Sequence, residues 1–374
     1  MTPLHLANVE PGATIAVIGA SARAVAFSLL RAGYRVVAAD LFADADLAQV
    51  CPATRIQDYP NGFEGWLAAT ECDAWLYTGA MENYPDLIDR MAMLRPLIGH
   101  RGDSLRRVRD PLALQTRLDE HDLRFPATTL VAGPQPSSGQ IVKKCGGQDE
   151  ASYWQQFVAG TSLSALFRGA ELHGVTRQLV GEAWTGAAEF QYCGSIALWP
   201  LADEKARQLE RLGRLLHNEF GLTDLYGVDL IDDGSQLWTI EVNPRYTAAV
   251  EVVERATGYS VFQTKSGEVG ERPSKPPEYF GKAVLFAKES CVISKAFTET
   301  VIPPQPYPSS GESDEGKWPK FADIPAAGTE IEIGQPVLTL FARGDSGEVV
   351  EDRLRQRAEE IETLLYAKEP QPCD

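Results

Sequence analysis

Residues 226–245 read Tyr226-Gly227-Val228-Asp229-Leu230-Ile231-Asp232-Asp233-Gly234-Ser235-Gln236-Leu237-Trp238-Thr239-Ile240-Glu241-Val242-Asn243-Pro244-Arg245. The stretch predicts a β-hairpin: strand 226–231, a turn at Asp232–Ser235, and a return strand from Gln236 to Val242. On the return strand Trp238, Ile240 and Val242 alternate with Thr239, Glu241 and Asn243, so the polar trio is expected on one face. The turn then brings Asp229 opposite Thr239 or Glu241, about 5–8 Å away across the strands. Two carboxylates and an amide oxygen converging on one face form a hard-oxygen donor set. That set suits Mg²⁺ shared with substrate phosphates and suits zinc poorly. Pro244 ends the strand, and Arg245 offers a planar fork for phosphate oxygens. The plainer alternative is a solvated hairpin face with ordinary charges. The tight order of acid, amide and arginine beside an apolar face favours a site.

Working outward, the first hundred residues alternate strand and helix patterns. Strands are expected at Thr14–Ile18, Arg35–Ala39 and Ala74–Thr78, with a helix carrying Val25, Leu29 and Ala32 and stopped by Gly33. This is a Rossmann-like β-α-β unit whose strand ends point into a cleft. Residues from about 104 to 125 read as helical. Strands follow at Gln140–Lys143 and Tyr153–Val158, and a helix at Leu201–Phe220. Further strands are expected at Lys282–Ala287 and Pro336–Ala342, and the chain closes on an amphipathic helix carrying Val350, Leu354, Ile361 and Leu365. Linker-like composition appears at Ser266–Tyr279 and Pro303–Lys320. The expected fold class is α/β, and the expected units are 1–100, 101–158, 159–265 and 266–374.

The net charge of −17, from 52 acidic and 35 basic residues among 374, repels polyphosphate backbones and argues against nucleic-acid binding. The six cysteines show no metal-ligand spacing and read as reduced thiols. Cys193 is expected to be a buried small hydrophobe. No apolar run approaches the roughly 20 residues of a membrane span, and no secretory signal is visible, so the expected compartment is the cytoplasm. The five histidines are dispersed and read as ordinary surface or helix residues. A homodimer is left open.

Gly227-Val228-Asp229 followed by Glu241-Val242-Asn243-Pro244-Arg245 resembles the metal-binding signature of the ATP-grasp ligases, with a weaker likeness to the tyramine–glutamate ligase-like subgroup. The resemblance covers roughly residues 10–265. It implies an α+β fold in which a Rossmann-like lobe precedes two lobes that clamp ATP. Asp229, Glu241 and Asn243 would hold two Mg²⁺ ions, for which Mn²⁺ could substitute, and Arg245 would stabilise the transferred phosphoryl group. Lys143 on Ile141-Val142-Lys143 matches the strand-borne lysine of the family, with Lys144 a second candidate. Gln155, Gln156, Phe157 and Val158 match the hinge that pairs with adenine. Ser162 falls where the family commonly has a ribose-binding glutamate, and Arg109 where it commonly has a lysine. The glycine-rich loop that normally covers the phosphates is cut to Cys145-Gly146-Gly147. The segment Pro325–Ala342 resembles the β-rich C-terminal piece of some ATP-grasp carboxylases.

The implied activity joins a small-molecule carboxylate to an amine through an acyl phosphate, at the expense of ATP. No Ser/His/Asp or Cys/His arrangement competes with this reading. Two alternatives remain. Gly19-Ala20-Ser21-Ala22-Arg23-Ala24, with Asp40 some twenty residues on, suggests an NAD(P)-dependent oxidoreductase, although Ser21 replaces the central glycine. The short loop and Ser162 suggest a nucleotide-binding protein that has lost catalysis. Ser21 and Arg23 could instead bind an anionic group of the substrate at the helix N-terminus, or serve the turn alone.

Overall fold

The computed structural model describes residues 9–130, 152–263, 278–303 and 318–367, and the backbone of 140–144. The N-terminal lobe runs β1 (Thr14–Ile18), α1 (Arg23–Arg31), β2 (Arg35–Asp40), α2 (Ala45–Ala48), β3 (Ala53–Arg55), α3 (Gly62–Ala69), β4 (Ala74–Tyr77) and α4 (Pro85–Leu94). Its four strands form a parallel sheet in the order β3-β2-β1-β4. Ile15, Ala16, Val17 and Ile18 on β1 are all fully buried, as a central parallel strand covered on both faces requires.

The helical stretch expected over about 104–125 is two helices, α5 (Gly102–Arg109) and α6 (Pro111–Glu120). The break has a local cause. Pro111 disfavours a helical Asp110, and the Asp110 side chain then caps α6 by accepting from the backbone N–H groups of Leu112 and Ala113 at 2.9 and 3.2 Å. A small antiparallel sheet follows, with β5 (Thr128–Leu130), β6 (Gln140–Lys144) and β7 (Ser152–Gln156) in the order β5-β7-β6.

The remaining strands are β8 (Thr161–Arg168), β9 (Glu171–Val180), β10 (Tyr192–Ala197), β11 (Leu225–Asp232), β12 (Leu237–Asn243), β13 (Tyr279–Phe286), β14 (Cys291–Val292), β15 (Phe321–Ala322), β16 (Glu330–Ile331) and β17 (Pro336–Gly344). The helices among them are α7 (Asp203–Phe220), α8 (Ala248–Thr257), α9 (Lys295–Val301) and α10 (Gly347–Leu365). Eight of the strands make one sheet in the order β12-β11-β8-β9-β10-β13-β17-β15. β8 and β9 escape the sequence reading, although they join the hairpin to the rest of this sheet.

Two helices cover one face of the sheet. Leu209, Leu212, Leu216 and Phe220 of α7 pack with Leu163, Phe167, Val228 and Leu230, while Val350, Leu354, Ala358 and Ile361 of α10 pack with Ala283, Leu285 and Leu338. On the other face lies α8, whose Val250, Val252 and Val253 share a core with Val25 and Leu29 of α1. The N-terminal lobe is thereby held over the polar face of the large sheet, and β13 and β17 extend that face past the hairpin. The segments 131–139, 145–151, 264–277 and 304–317 lie outside the described residues, and with them the short glycine loop and most of both linker stretches.

Candidate active site

The hairpin pairs Asp229 with Glu241, Gly227 with Asn243 and Val228 with Val242, and then shifts register so that Leu230 meets Thr239. The shift is a bulge at Ile240, and it corrects the expected alternation. Thr239 turns to the face of buried Leu230 and Leu237, while Glu241 and Asn243 lie with Asp229 on the opposite face. A bulge inserts one residue and so inverts the side-chain pattern beyond it; strict period-two counting cannot anticipate that.

The Asp229 carboxylate accepts from Asn243 Nδ2 and from Gln178 Nε2, both at 2.9 Å. Glu241 Oε1 accepts from Arg109 Nη1 at 3.1 Å, and the same guanidinium donates to Asn83 Oδ1 at 3.2 Å and Val242 O at 3.3 Å. Burial opposes the charge on Arg109, but Glu241 and Glu82 overcome it and hold its pKa above the usual value. Asp229, Glu241 and Asn243 present oxygen donors only, from neighbouring residues on one sheet face. That composition fits a hard divalent cation.

Arg245 leaves the end of β12 and lies flat against Gly79, where a Cβ would come within 2.8 Å of its Cζ. Only glycine admits that approach. Its Nη2 pairs with Glu82 Oε1 at 2.7 Å, and Nη1 donates to Tyr246 O at 3.3 Å. Burial again opposes the charge, and Glu82, Glu241 and Asp229 outweigh it, raising the pKa. Pro244 is fixed from behind: its carbonyl accepts from His100 Nδ1 at 3.1 Å and from Tyr77 Oη at 3.3 Å. His100 is 3% exposed, and its Nε2 accepts from Asp224 N, so it is a core histidine rather than a surface one.

The other expected positions divide. Gln155 is buried and donates to Thr128 Oγ1 at 3.3 Å, inside the small sheet. Gln156 and Phe157 are exposed and Val158 half-buried. Phe157 meets Phe190 edge-on with ring centres 6.3 Å apart. Ser162 pairs with Ile231 on β11, two residues beyond the Ser164 that pairs with Asp229. On β6, Lys143 and Lys144 pair with Tyr153 and Ser152; their side chains lie outside the described residues. Cys193 is fully buried.

At the β1–α1 turn, Ser21 lines the larger of two cavities while Ala22 and Arg23 are engaged within the protein. Asp40 accepts from Ala22 N at 2.9 Å, Phe42 N at 3.0 Å and Ala43 N at 2.6 Å, so its carboxylate takes one of the amides at the head of α1. Arg23 is 1% exposed and held by Glu251 and Asp323, which removes it from the role of free anion binder. Glu82, Asn83, Gln178, Glu251, Lys282 and Asp323 escape the sequence reading. They come from segments that carry no motif, and only folding brings them to this face.

Two cavities open here. One, of about 420 Å³, is lined by Arg109, Glu241, Ile240, Leu130 and Tyr153, between the small sheet and the hairpin. The larger, of about 1080 Å³, runs from Arg245, Thr78 and Gly79 past Asp44, Lys282 and Asp323 to β16 and β17. No helix among the described residues is long and apolar enough to cross a membrane.

Residues 105–249 match the model of an ATP-grasp domain family. An uncharacterised protein of Methanocaldococcus jannaschii is 20% identical over 205 residues, 55% of this chain and 46% of that protein, so the match spans about half the length of this curated relative. Among solved structures, an L-amino acid ligase from Bacillus licheniformis superposes with a TM-score of 0.66 at 14% identity, covering 94% of this chain and 98% of that one. An N5-carboxyaminoimidazole synthetase from Staphylococcus aureus complexed with ADP superposes with a TM-score of 0.63 at 15% identity, covering 94% and 99%. The mixed α/β architecture is that of these neighbours. The hairpin signature lies inside residues 105–249, the part of the chain that matches an ATP-grasp domain.

Proposed function

We propose that the protein is an ATP- and Mg²⁺-dependent ligase that joins a small-molecule carboxylate to an amine. One observation carries the reading: Arg245 lines the 1080 Å³ cavity and also feels the charges of Asp229 and Glu241. A guanidinium shared between an oxygen-donor face and a cavity large enough for substrates stands where a phosphoryl group would pass from one to the other.

Asp229, Glu241 and Asn243 would hold the metal, which when bound supplies charge neutralisation to the polyphosphate. Arg109 fixes the Glu241 carboxylate, and Gln178 orients Asp229. A substrate carboxylate oxygen attacks the γ-phosphorus and ADP departs, leaving an acyl phosphate beside Arg245. The amine nitrogen then attacks the carbonyl carbon, phosphate leaves, and the nitrogen gives up a proton. Asp40, bonded to Ala22 N, Phe42 N and Ala43 N, is turned inward rather than left to accept from a ribose, which speaks against the dinucleotide alternative.

Thermal melts test the nucleotide half of this reading. Mg-ATP at a hundredfold excess over Kd stabilises by about 2.7 kcal/mol, chelator removes the shift, and NAD produces none. A shift with NAD and none with Mg-ATP refutes it. ADP release screened against mixtures of carboxylates and amines tests the rest.

A further inference from the structure

Around Arg23 the fold gathers five carboxylates, buried Asp40, Asp44, Asp46 and Glu251 and half-buried Asp323, against three buried cations, Arg23, Arg255 and Lys282. Four of the acids are satisfied. Asp40 takes the three backbone amides already described. Asp46 accepts from Asp323 N at 3.0 Å and Ile324 N at 3.1 Å. Asp323 accepts from Arg23 Nε at 2.9 Å and Thr339 Oγ1 at 2.6 Å, and Glu251 from Arg23 Nη2 at 3.0 Å and Arg255 Nη2 at 3.1 Å.

Asp44 is the exception. It is 6% exposed and lines the large cavity, and its carboxylate accepts no hydrogen bond among the described residues. Burial, and then the neighbouring Asp323, Asp46 and Asp40, push its pKa well above the usual carboxylate value. A buried, unpartnered acid in a cluster with surplus negative charge calls for a cation from the ligand. Asp44 shares the cavity with Leu41, Ile56, Val284 and Leu338, a lining that suits an organic cation carried on an apolar chain.

We propose that the cavity binds a substrate bearing a carboxylate at the Arg245 end and an ammonium or guanidinium group on Asp44. The role of the carboxylate end rests on the ligase reading; the cation site does not. Thr78 follows β4 and Asp44 follows β2, two strand spacings apart through β1, so the two charges of the substrate are separated by roughly 10 Å. Leu41, Ile56, Val284 and Leu338 line the cavity and suit an apolar chain between those ends.

The probes are 6-aminohexanoate and hexanoate, which differ in the distal amine, titrated calorimetrically into the full chain without nucleotide. The wild type is expected to bind 6-aminohexanoate at least tenfold more tightly. Asp44→Asn should abolish that preference while Asp44→Glu keeps it, with circular dichroism as the folding control. The wild-type comparison stands without any variant. Equal binding of the two probes, binding of neither, or a preference that survives Asp44→Asn overturns the proposal. ADP release is measured in parallel. Asp44-dependent binding with no Mg-ATP turnover for any carboxylate and amine tried leaves the cation site standing and overturns the ligase reading instead.

Discussion

Replacing Arg23 with methionine should be among the most destabilising single changes in this chain. Arg23 lies on α1 of the N-terminal lobe, yet its guanidinium spans Glu251 on α8 and Asp323 before β16, so three parts of the chain meet on one side chain. Both Arg23 and Glu251 are 1% exposed, which removes solvent screening. Methionine fills similar volume but, among the described residues, leaves Glu251 with Arg255 and Lys282 and Asp323 with Thr339. Breaking a buried pair from one side costs about 3–5 kcal/mol. The exposed Arg90–Glu64 pair at 3.0 Å serves as control, and Arg90→Met should cost no more than about 1 kcal/mol. Urea unfolding followed by tryptophan fluorescence measures both. The pH dependence has a definite sign. Burial opposes ionisation of Glu251, but Arg23, Arg255 and Lys282 depress its folded pKa well below 4.5. Burial likewise opposes Asp323, and Arg23 lowers it below 3.8. Depressed carboxylates stabilise above their unfolded pKa, and that stability is lost as pH falls through the folded value. The gap between wild type and Arg23→Met should therefore be widest near neutrality and close as pH falls toward the carboxylate range. A cycle with Glu251→Gln should show coupling of at least about 1 kcal/mol. A deficit below about 1 kcal/mol at neutral pH, or one that widens on acidification, would refute the reasoning.

Three further outcomes are expected. Glu241→Ala and Asn243→Ala should be strongly non-additive in steady-state ADP release, because ligands of one metal fail together; additive losses would separate them. Arg245→Lys keeps a charge opposite Glu82 but loses the planar fork, and should lower kcat about a hundredfold with little change in the KM for ATP; an effect confined to KM would place Arg245 in ground-state binding. On β6, Lys143→Met should weaken ATP far more than Lys144→Met in equilibrium titration, since neighbouring strand residues point to opposite faces; equal losses would show that both side chains reach the nucleotide.

Local order in the chain determined part of the framework by itself. The hairpin turn, the apolar runs of β1, β2 and β4, and the periodic leucines of α7 each follow from rules acting over a few residues, and so they are legible in the sequence. The turn narrowed the partner of Asp229 to Thr239 or Glu241, and the register shift at Ile240 decided for Glu241. Contacts between distant segments are another matter. The bulge at Ile240 moved Thr239 off the site face, a choice made by packing Leu230 and Leu237 under α7 rather than by strand propensity. Gln178 reached Asp229 only through β8 and β9, whose apolar and polar residues follow no simple alternation because one face packs on helices and the other holds buried serine and threonine. Arg23 reads as an anion binder beside a helix N-terminus. Tertiary structure instead gave it Glu251 and Asp323, which are more than two hundred residues away in the sequence. Nothing local encodes that choice: burial made an unpaired guanidinium too costly, and folding delivered the two carboxylates that satisfy it.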